Sequence, residues 1–235
     1  MGRVIAISNQ KGGVGKTTTA INLSACLAEK GKRVLTIDMD PQGNTTSGLG
    51  IDKSTVEHTS YQLLTNETTI WEAMTPSIVP GLSVIASERS LAGAEIELIG
   101  VEDREFILKK EVDKVRDNYD FVIIDCPPSL NTLTVNAMTT ADTVLVPIQC
   151  EYYALEGLSE LIYTIELVKE RLNNKLEIEG VVFTMYDART CFSLQVVENV
   201  KQNLHQNIYK TIIPRNVRLA EAPSHGLPIN LYEPK

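Results

Sequence analysis

A glycine-rich segment near the start of the chain limits the possible folds more than any other part of the sequence. Residues 11–17 read Lys-Gly-Gly-Val-Gly-Lys-Thr, after an apolar run at residues 4–7 and before a helical pattern at residues 17–29. A strand, a glycine-rich turn and a helix in this order are the setting of a phosphate-binding loop. Glycine permits the positive φ values that turn backbone N–H groups towards an anion, and the helix N-terminus adds a positive dipole end. The segment therefore predicts a nucleotide-binding α/β fold.

The polar residues of this loop have distinct expected roles. Lys16 is expected to neutralise the β- and γ-phosphates, and Thr17 to offer its hydroxyl to Mg²⁺. The usual pattern has glycine where this chain has Gln10, and a second lysine, Lys11, follows it. Lys11 is either a solvated surface charge or a further phosphate ligand, in its own subunit or across a dimer interface. The remaining predicted nucleotide contacts of the loop are Gly12, Gly13, Val14, Gly15 and Thr18.

Carboxylates follow two of the apolar strands. Residues 121–125 read Phe-Val-Ile-Ile-Asp, a strand that places Asp125 where it can hold Mg²⁺ through water. Asp38 and Asp40 come at the end of the second strand and, being two residues apart, leave it on the same face. Asp38 is expected to support the magnesium shell or the loop, so the predicted metal residues are Thr17, Asp38 and Asp125. The alternative for Asp38 and Asp40 is a solvated turn before Pro41.

Strand and helix patterns alternate along the whole chain. At 235 residues and 43% apolar, residues 1–235 suit a single domain with one sizeable core. The pattern predicts a doubly wound, mostly parallel sheet flanked by helices, with the ligand at the carboxyl ends of its strands. The predicted strands are 4–8, 34–38, 82–86, 121–125, 143–148, 180–186 and 208–213, and the predicted helices are 17–29, 103–118, 155–172 and 193–204. Residues 52–100 are expected to hold short helices besides strand 82–86.

Charge and cysteine content exclude several classes of protein. The net charge of −8 argues against nucleic-acid binding by the whole surface, although residues 180–235 carry six Lys/Arg against four Asp/Glu. The four cysteines form no closely spaced pair, which excludes a metal or iron–sulfur site built on such a pair. Cys126 is interpreted as a small packed residue. No apolar run approaches the ~18 residues of a membrane span, so a cytoplasmic protein is expected.

The loop resembles the deviant Walker A motif of the ParA/MinD ATPases, and the resemblance extends over nearly the whole chain. Residues 125–129, Asp-Cys-Pro-Pro-Ser, resemble the switch that follows the family's Walker B strand, and residues 221–226 are also family-like. The resemblance implies that Lys11 contacts the nucleotide of the partner subunit in an ATP sandwich dimer. It also implies that Asp40 positions or activates the attacking water. The implied catalytic residues are thus Lys11, Lys16 and Asp40, on a P-loop NTPase fold.

Two later segments resemble the family's nucleoside and DNA contacts. Residues 184–190 and 214–218 imply that Asn216 bonds the adenine edge while Met185 and Pro214 pack on the face of the base. Arg189 and Arg218 resemble positions that ParA-type proteins use to bind DNA without sequence preference. For each arginine, the alternative is an ordinary surface charge or a salt-bridge partner.

The resemblance implies a DNA-partition ATPase close to the chromosomal ParA/Soj-type proteins. Such an enzyme binds ATP or ADP with Mg²⁺, forms an ATP-dependent homodimer and binds double-stranded DNA nonspecifically. A ParB-type partner stimulates its slow hydrolysis, and the enzyme is cytoplasmic and nucleoid-associated. The alternative is a MinD-type, membrane-associated cell-division ATPase, which needs a basic amphipathic C-terminal helix. No such helix is visible, and family members usually run on into a closing helix, so a missing C-terminal helix is expected. A nucleotide-binding regulator without turnover is a further alternative.

Overall fold

The computed structural model describes residues 1–150, 154–187, 191–203 and 206–234. Apolar runs bounded by glycine, proline or carboxylate residues form the strands, as buried parallel strands require. The strands are β1 (Arg3–Ile7), β2 (Val34–Asp38), β3 (Met74–Pro76), β4 (Leu82–Ile85), β5 (Phe121–Asp125), β6 (Thr143–Gln149), β7 (Glu177–Tyr186) and β8 (Ile208–Pro214).

These strands form an eight-stranded sheet in the order β3-β4-β2-β5-β1-β6-β7-β8. Neighbouring strands from β4 to β8 pair in parallel, whereas the short β3 pairs antiparallel with β4. Parallel pairing brings the carboxyl ends of β1, β2 and β5 to one edge, where Asp125 lies in register with both Ile7 and Asp38. The predicted doubly wound, mostly parallel sheet is confirmed.

Helices cover both faces of this sheet. The α-helices are α1 (Lys16–Glu29), α2 (Asn44–Gly48), α3 (Ser60–Leu64), α4 (Ile70–Ala73), α5 (Leu91–Glu97), α6 (Ile107–Val112), α7 (Thr132–Thr140), α8 (Ala154–Arg171), α9 (Cys191–Asn203), α10 (Val217–Glu221) and α11 (Ile229–Tyr232). Short 3₁₀ turns lie at Arg104–Phe106, Arg116–Asn118 and Ala222–His225. Within the described part of the chain, no helix is both long and apolar enough to cross a bilayer.

Alternation along each strand divides the core between the two faces. Val4 and Ala6 of β1 pack in one apolar cluster, while Ile5 and Ile7 pack in the other. Helix α1 covers the second face with small residues such as Ala20 and Ala25, and α7 to α9 cover the first. Small residues on α1 let the helix lie close to the sheet, which fixes the loop that precedes it.

The predicted helix at 103–118 is confirmed only in part, because the segment is divided into two 3₁₀ turns flanking the short helix α6. Asp103 has the left-handed φ of 55° at its start. At its other end, the buried Arg116 donates from Nη2 to the Gly2 carbonyl and to Asp142, each at 2.8 Å. These tertiary bonds favour a tight turn over a continuous helix. The other predicted strands and helices match to within a few residues, but α7, the short strand β3 and the short helices α2, α10 and α11 were not predicted.

Candidate nucleotide-binding site

The glycine-rich loop joins β1 to α1 and is anchored by hydrogen bonds to β6 and β7. Two of its three glycines, Gly13 and Gly15, have φ values of 75° and 90°, in the region that L side chains rarely adopt. Asn9 donates to the Pro147 carbonyl at 2.7 Å, and its own Oδ1 accepts from the Lys11 N–H at 3.0 Å. These bonds tie the loop to β6, so the cradle is held in shape by the sheet.

Strand β7 anchors the same loop through a threonine. The Thr184 hydroxyl is buried and donates to the Val14 carbonyl at 2.7 Å. The side chain also lies beside Gly15, since a Cβ on that glycine would be 3.6 Å from Thr184 Cγ2. Thr184 therefore fixes the middle of the loop, a role that its place in the sequence did not reveal.

The side chain of Lys16 is buried at the first position of α1. Its ammonium group donates to the Lys11 carbonyl at 3.0 Å, which holds it across the loop. Burial lowers the pKa of Lys16, while the negative charges of Asp125 and Asp40 oppose this change. A buried ammonium group held above turned N–H groups suits a polyphosphate anion.

Asp125 ends β5 inside the site and accepts two hydroxyl hydrogen bonds. Thr17 donates to Asp125 Oδ2 at 2.8 Å and Thr45 donates to the same oxygen at 2.7 Å. Burial raises the pKa of Asp125 to about 7, the charge of Asp38 adds to this effect, and the threonine hydrogen bonds oppose it. The other oxygen, Oδ1, is buried and accepts no hydrogen bond from the described residues.

This arrangement fits a magnesium ion held mainly through phosphate and water. Buried polar atoms are normally satisfied, so the unpartnered Oδ1 of Asp125 suits a metal-bound water. The Thr17 hydroxyl beside it carries an oxygen of the kind that magnesium prefers as a ligand. No group of three or more His, Cys, Asp or Glu side chains that could hold a metal by itself occurs among the described residues. Magnesium in nucleotide sites typically keeps waters and phosphate ligands, so no such cluster is needed.

Asp38 is fully buried, and its hydrogen bonds go to the segment that follows β2. Its Oδ2 accepts from the N–H and hydroxyl of Thr46 at 2.8 and 2.7 Å, and its Oδ1 accepts from the Asp40 N–H at 3.1 Å. Burial raises the pKa of Asp38 to about 6. Of its two predicted roles, support of the loop is the one that these bonds favour.

Asp40 lies in a turn that is closed rather than solvated. The residue is 8% exposed, and its Oδ1 accepts from the Gln42 N–H at 2.9 Å. Its other oxygen, Oδ2, accepts no hydrogen bond from the part of the chain that the structure describes. The turn therefore positions one carboxylate oxygen for an external donor such as water.

A cavity of about 700 Å³ adjoins the loop, between α1 and strands β6 to β8. Met185, Pro214 and Asn216 line it together with Gly15 and Thr18, so the predicted nucleoside contacts meet at one place. Met185 adopts a φ of 50°, and Asn216 caps α10 by accepting from the Arg218 N–H at 2.8 Å. Burial raises the pKa of the Cys126 thiol above its usual range, as expected for a packed residue.

Of the two arginines predicted to bind DNA, the structure describes only Arg218. Arg218 is about half exposed and donates to Glu221 at 2.9 Å, with Glu233 at 3.7 Å, so it forms the salt bridges of the alternative interpretation. Arg189 lies outside the described residues. Lys11 is partly exposed at the mouth of the loop, where its main chain bonds Asn9 and Lys16.

The sequence interpretation missed several polar residues of the site. Thr45 and Thr46 start α2 and contact the two buried aspartates, and Ser87 follows β4. A threonine pair directly after the Asp38–Asn44 segment was the available signal for the first two. Nothing local marks Ser87, because its partners are about 40 residues away in the sequence.

The parallel sheet, the loop after β1 and the buried carboxylate beside Thr17 define a P-loop nucleotide-binding protein. Residues 2–178 match the family model described as an AAA domain. The sporulation initiation inhibitor protein Soj of Bacillus subtilis is 57% identical over all of this chain and 93% of its own length. The chromosome partitioning protein ParA of Myxococcus xanthus is 52% identical over all of this chain and 83% of its own. The chain belongs to the ParA/Soj family of chromosome-partitioning ATPases.

Solved structures share the same fold. A cobyrinic acid a,c-diamide synthase from Mycobacterium smegmatis, solved with an ATP analogue and magnesium, is 36% identical with a TM-score of 0.88, over 96% of this chain and 93% of its own. The cell division ATPase MinD of Pyrococcus furiosus is 25% identical with a TM-score of 0.82, over 100% and 92% of the two chains. Both comparisons show that these proteins share the overall fold of this chain.

Proposed function

We propose that this protein is a partition ATPase that binds ATP with Mg²⁺, forms an ATP sandwich dimer, binds DNA nonspecifically and hydrolyses ATP slowly. The observation that carries the proposal is the 2.8 Å hydrogen bond from Thr17 to Asp125, whose second oxygen is buried without a partner. This pair of observations supports a magnesium site next to the bound nucleotide. The ATP analogue and magnesium bound by the Mycobacterium relative support the same ligands.

In the proposed reaction, the chain positions ATP and the attacking water and stabilises the negative charge of the phosphates. A water attacks the γ-phosphorus, the bond to the bridging oxygen breaks, and ADP and phosphate are released. Lys16 binds the β- and γ-phosphate oxygens, and the loop N–H groups bind the remaining ones. Asp40 accepts a hydrogen bond from the attacking water through Oδ2. Bound magnesium supplies a positive charge next to the phosphates, with Thr17 and Asp125 as the residues that hold it.

Dimerisation is assigned to Lys11. In the proposed dimer its ammonium group reaches the phosphates of the partner's nucleotide, so two bound ATP molecules join two subunits. Without a γ-phosphate, the interface loses an anion that two cations share, and the dimer dissociates. ATP binding and dimerisation are then coupled equilibria, each of which strengthens the other.

DNA binding is assigned to a patch containing Arg189 and Arg218, which dimerisation doubles. Contacts to phosphate need cationic side chains but carry no sequence information. About four such contacts per dimer give binding that weakens steeply with salt. A ParB-type partner, as the family implies, stimulates hydrolysis and releases the dimer from DNA. The ATPase acts in the cytoplasm, at the nucleoid.

A paired binding assay tests this function against the MinD-type alternative. We expect the wild-type protein to shift a random-sequence duplex with ATP and Mg²⁺, to lose the shift without ATP, and to lose it at higher salt. In parallel, we expect no ATP-dependent sedimentation with anionic phospholipid vesicles. Vesicle binding without DNA binding would favour the membrane-associated alternative and contradict the proposal.

A further inference from the structure

Ser87 lies directly after β4, in a part of the chain to which the sequence analysis assigned no chemistry. The residue is fully buried, and its partners belong to the segment that carries Asp38 and Asp40. β4 pairs with β2 in parallel, so the end of β4 lies next to the end of the strand that leads into Asp40. Sheet topology therefore brings Ser87 to the site.

Three parts of Ser87 contact this segment. Its hydroxyl donates to the Asp40 carbonyl at 2.8 Å, and its N–H donates to the Thr46 hydroxyl oxygen at 2.8 Å. Its carbonyl oxygen lies against Gly43, because a Cβ added to that glycine would overlap it. Ser87 thus contacts the Asp40 turn at its beginning and end, and also the helix that follows it.

These contacts hold the main chain of Asp40 on both sides of its Cα atom. The Asp40 N–H is held by Asp38 at 3.1 Å, and the Asp40 carbonyl accepts from the Ser87 hydroxyl and from the Gly43 N–H, each at 2.8 Å. Thr46 links the two, since its hydroxyl accepts from Ser87 and donates to Asp38 at 2.7 Å. With main chain and Oδ1 both bonded, the direction of the remaining carboxylate oxygen is set by this network.

We propose that Ser87 is a positioning residue for ATP hydrolysis, which holds Asp40 in the orientation needed to aim the attacking water. The inference rests on the proposed role of Asp40 in that reaction. Ser87 does not line the nucleoside cavity, and its hydrogen bonds to the described residues go to Asp40 and Thr46. Loss of its hydroxyl should therefore slow turnover without weakening ATP binding.

The test compares Ser87→Ala with a matched serine variant. Ser60 is also fully buried, its N–H donates to the Ala86 carbonyl next to Ser87, and its hydroxyl has no hydrogen-bond partner among the described residues. Ser60→Ala therefore makes the same chemical change nearby without touching the Asp40 segment. Ser87→Cys is a near-isosteric second variant with a weak S–H donor, which guards against misfolding of Ser87→Ala.

Phosphate release is measured at varied ATP concentrations, and ATP binding is measured separately by fluorescence of a labelled analogue. We expect Ser87→Ala to lower kcat by about 10- to 100-fold, since small misplacements of a catalytic group have effects of this size. The KM and the analogue Kd should stay within about twofold of wild type. Ser87→Cys should fall between Ser87→Ala and wild type, and Ser60→Ala should match wild type.

Three results would overturn the inference in distinguishable ways. If Asp40→Ala abolishes turnover but Ser87→Ala and Ser87→Cys behave like Ser60→Ala, Ser87 does not position Asp40, while the proposed function stands. If Asp40→Ala hydrolyses ATP at the wild-type rate, the role of Asp40 fails and the inference about Ser87 fails with it. A rise in KM with unchanged kcat in Ser87→Ala would also contradict a positioning role.

Discussion

Asp38 and Asp125 occupy paired positions at the ends of the neighbouring parallel strands β2 and β5, and both side chains are fully buried. Burial raises the pKa of Asp38 to about 6 and that of Asp125 to about 7, and the charge of Asp38 adds to the second effect. Two carboxylates beside each other in a buried site disfavour the doubly ionised state. The nucleotide-free protein therefore holds protons here that the unfolded chain releases near pH 4.

This pair predicts a pH-dependent stability in the absence of nucleotide. Because the folded-state pKa of Asp125 is above the unfolded value of 3.8, its contribution to stability is present at low pH and is lost as pH rises from about 4 to 7. Asp125→Asn removes this ionisation. We expect the melting temperature of the variant, relative to wild type, to rise between pH 5 and pH 8. A difference that is constant or falls over this range in thermal unfolding would contradict the assignment.

Gly43 is predicted to tolerate no side chain. Its φ is 61°, and a Cβ there would overlap both the Ser87 carbonyl and the Lys53 side chain. Gly100 has a φ of 83° but open space around the Cβ position, so Gly100→Ala separates backbone strain from overlap. We expect Gly43→Ala to lower the free energy of unfolding by about 1–3 kcal/mol more than Gly100→Ala. Equal losses in denaturant unfolding would show that the close approach of Ser87 and Gly43 has no energetic effect.

Thr184 is predicted to support nucleotide binding through the loop. Thr184→Val keeps the shape of the side chain but leaves the Val14 carbonyl without its 2.7 Å hydrogen bond, at a cost of about 1 kcal/mol. We expect weaker ATP binding by about fivefold, the equivalent of that free energy. Thr211→Val, on an exposed threonine of β8 at the same cavity, is the control. Unchanged ATP affinity of Thr184→Val in a titration would exclude the supporting role.

Arg218 is predicted to contact DNA even though it pairs with Glu221 and Glu233 in the free chain. Arg218→Gln should weaken ATP-dependent DNA binding and reduce the salt dependence by about one contact per subunit. Arg33→Gln is the matched control, because Arg33 is also exposed and pairs with Asp120, just before the amino-terminal ends of β2 and β5. If both variants bind duplex as wild type does, or both weaken equally, Arg218 is only a salt-bridge partner.

Local sequence patterns were sufficient to predict the strands whose structure depends on the burial of a continuous apolar run. β2 and β5 match the predicted strands residue for residue, because their continuous apolar runs end at Asp38 and Asp125. Helix α7 was missed because its sequence, Thr-Leu-Thr-Val-Asn-Ala-Met-Thr-Thr, has weak helix propensity. Its N-terminus is capped by Asn131, which accepts from the Thr134 N–H. Helix α7 packs on the apolar face of the sheet, so tertiary burial stabilises it more than propensity does.

The residues of the candidate site also fall into two groups: those that a local sequence pattern predicts, and those whose contacts only the tertiary structure shows. Lys16, Thr17 and Asp125 were predictable because a loop and a strand each carry their own signal, and parallel pairing brings them together. The contacts of Thr45, Thr184 and Ser87 depend on register between distant strands, which no local pattern encodes. The role of Lys11 across a dimer belongs to neither group, since it depends on a second subunit.

The measurement that tests the ATP-dependent dimer most directly is sedimentation velocity with ATP and Mg²⁺ on Asp40→Ala, alone and combined with Lys11→Ala. Because Asp40→Ala is expected to bind ATP without hydrolysing it, this protein should sediment as a dimer with ATP and as a monomer without it. The double variant should bind labelled ATP but remain monomeric. A double variant that dimerises like Asp40→Ala would contradict the role of Lys11, and an Asp40→Ala protein that stays monomeric with bound ATP would contradict the sandwich dimer.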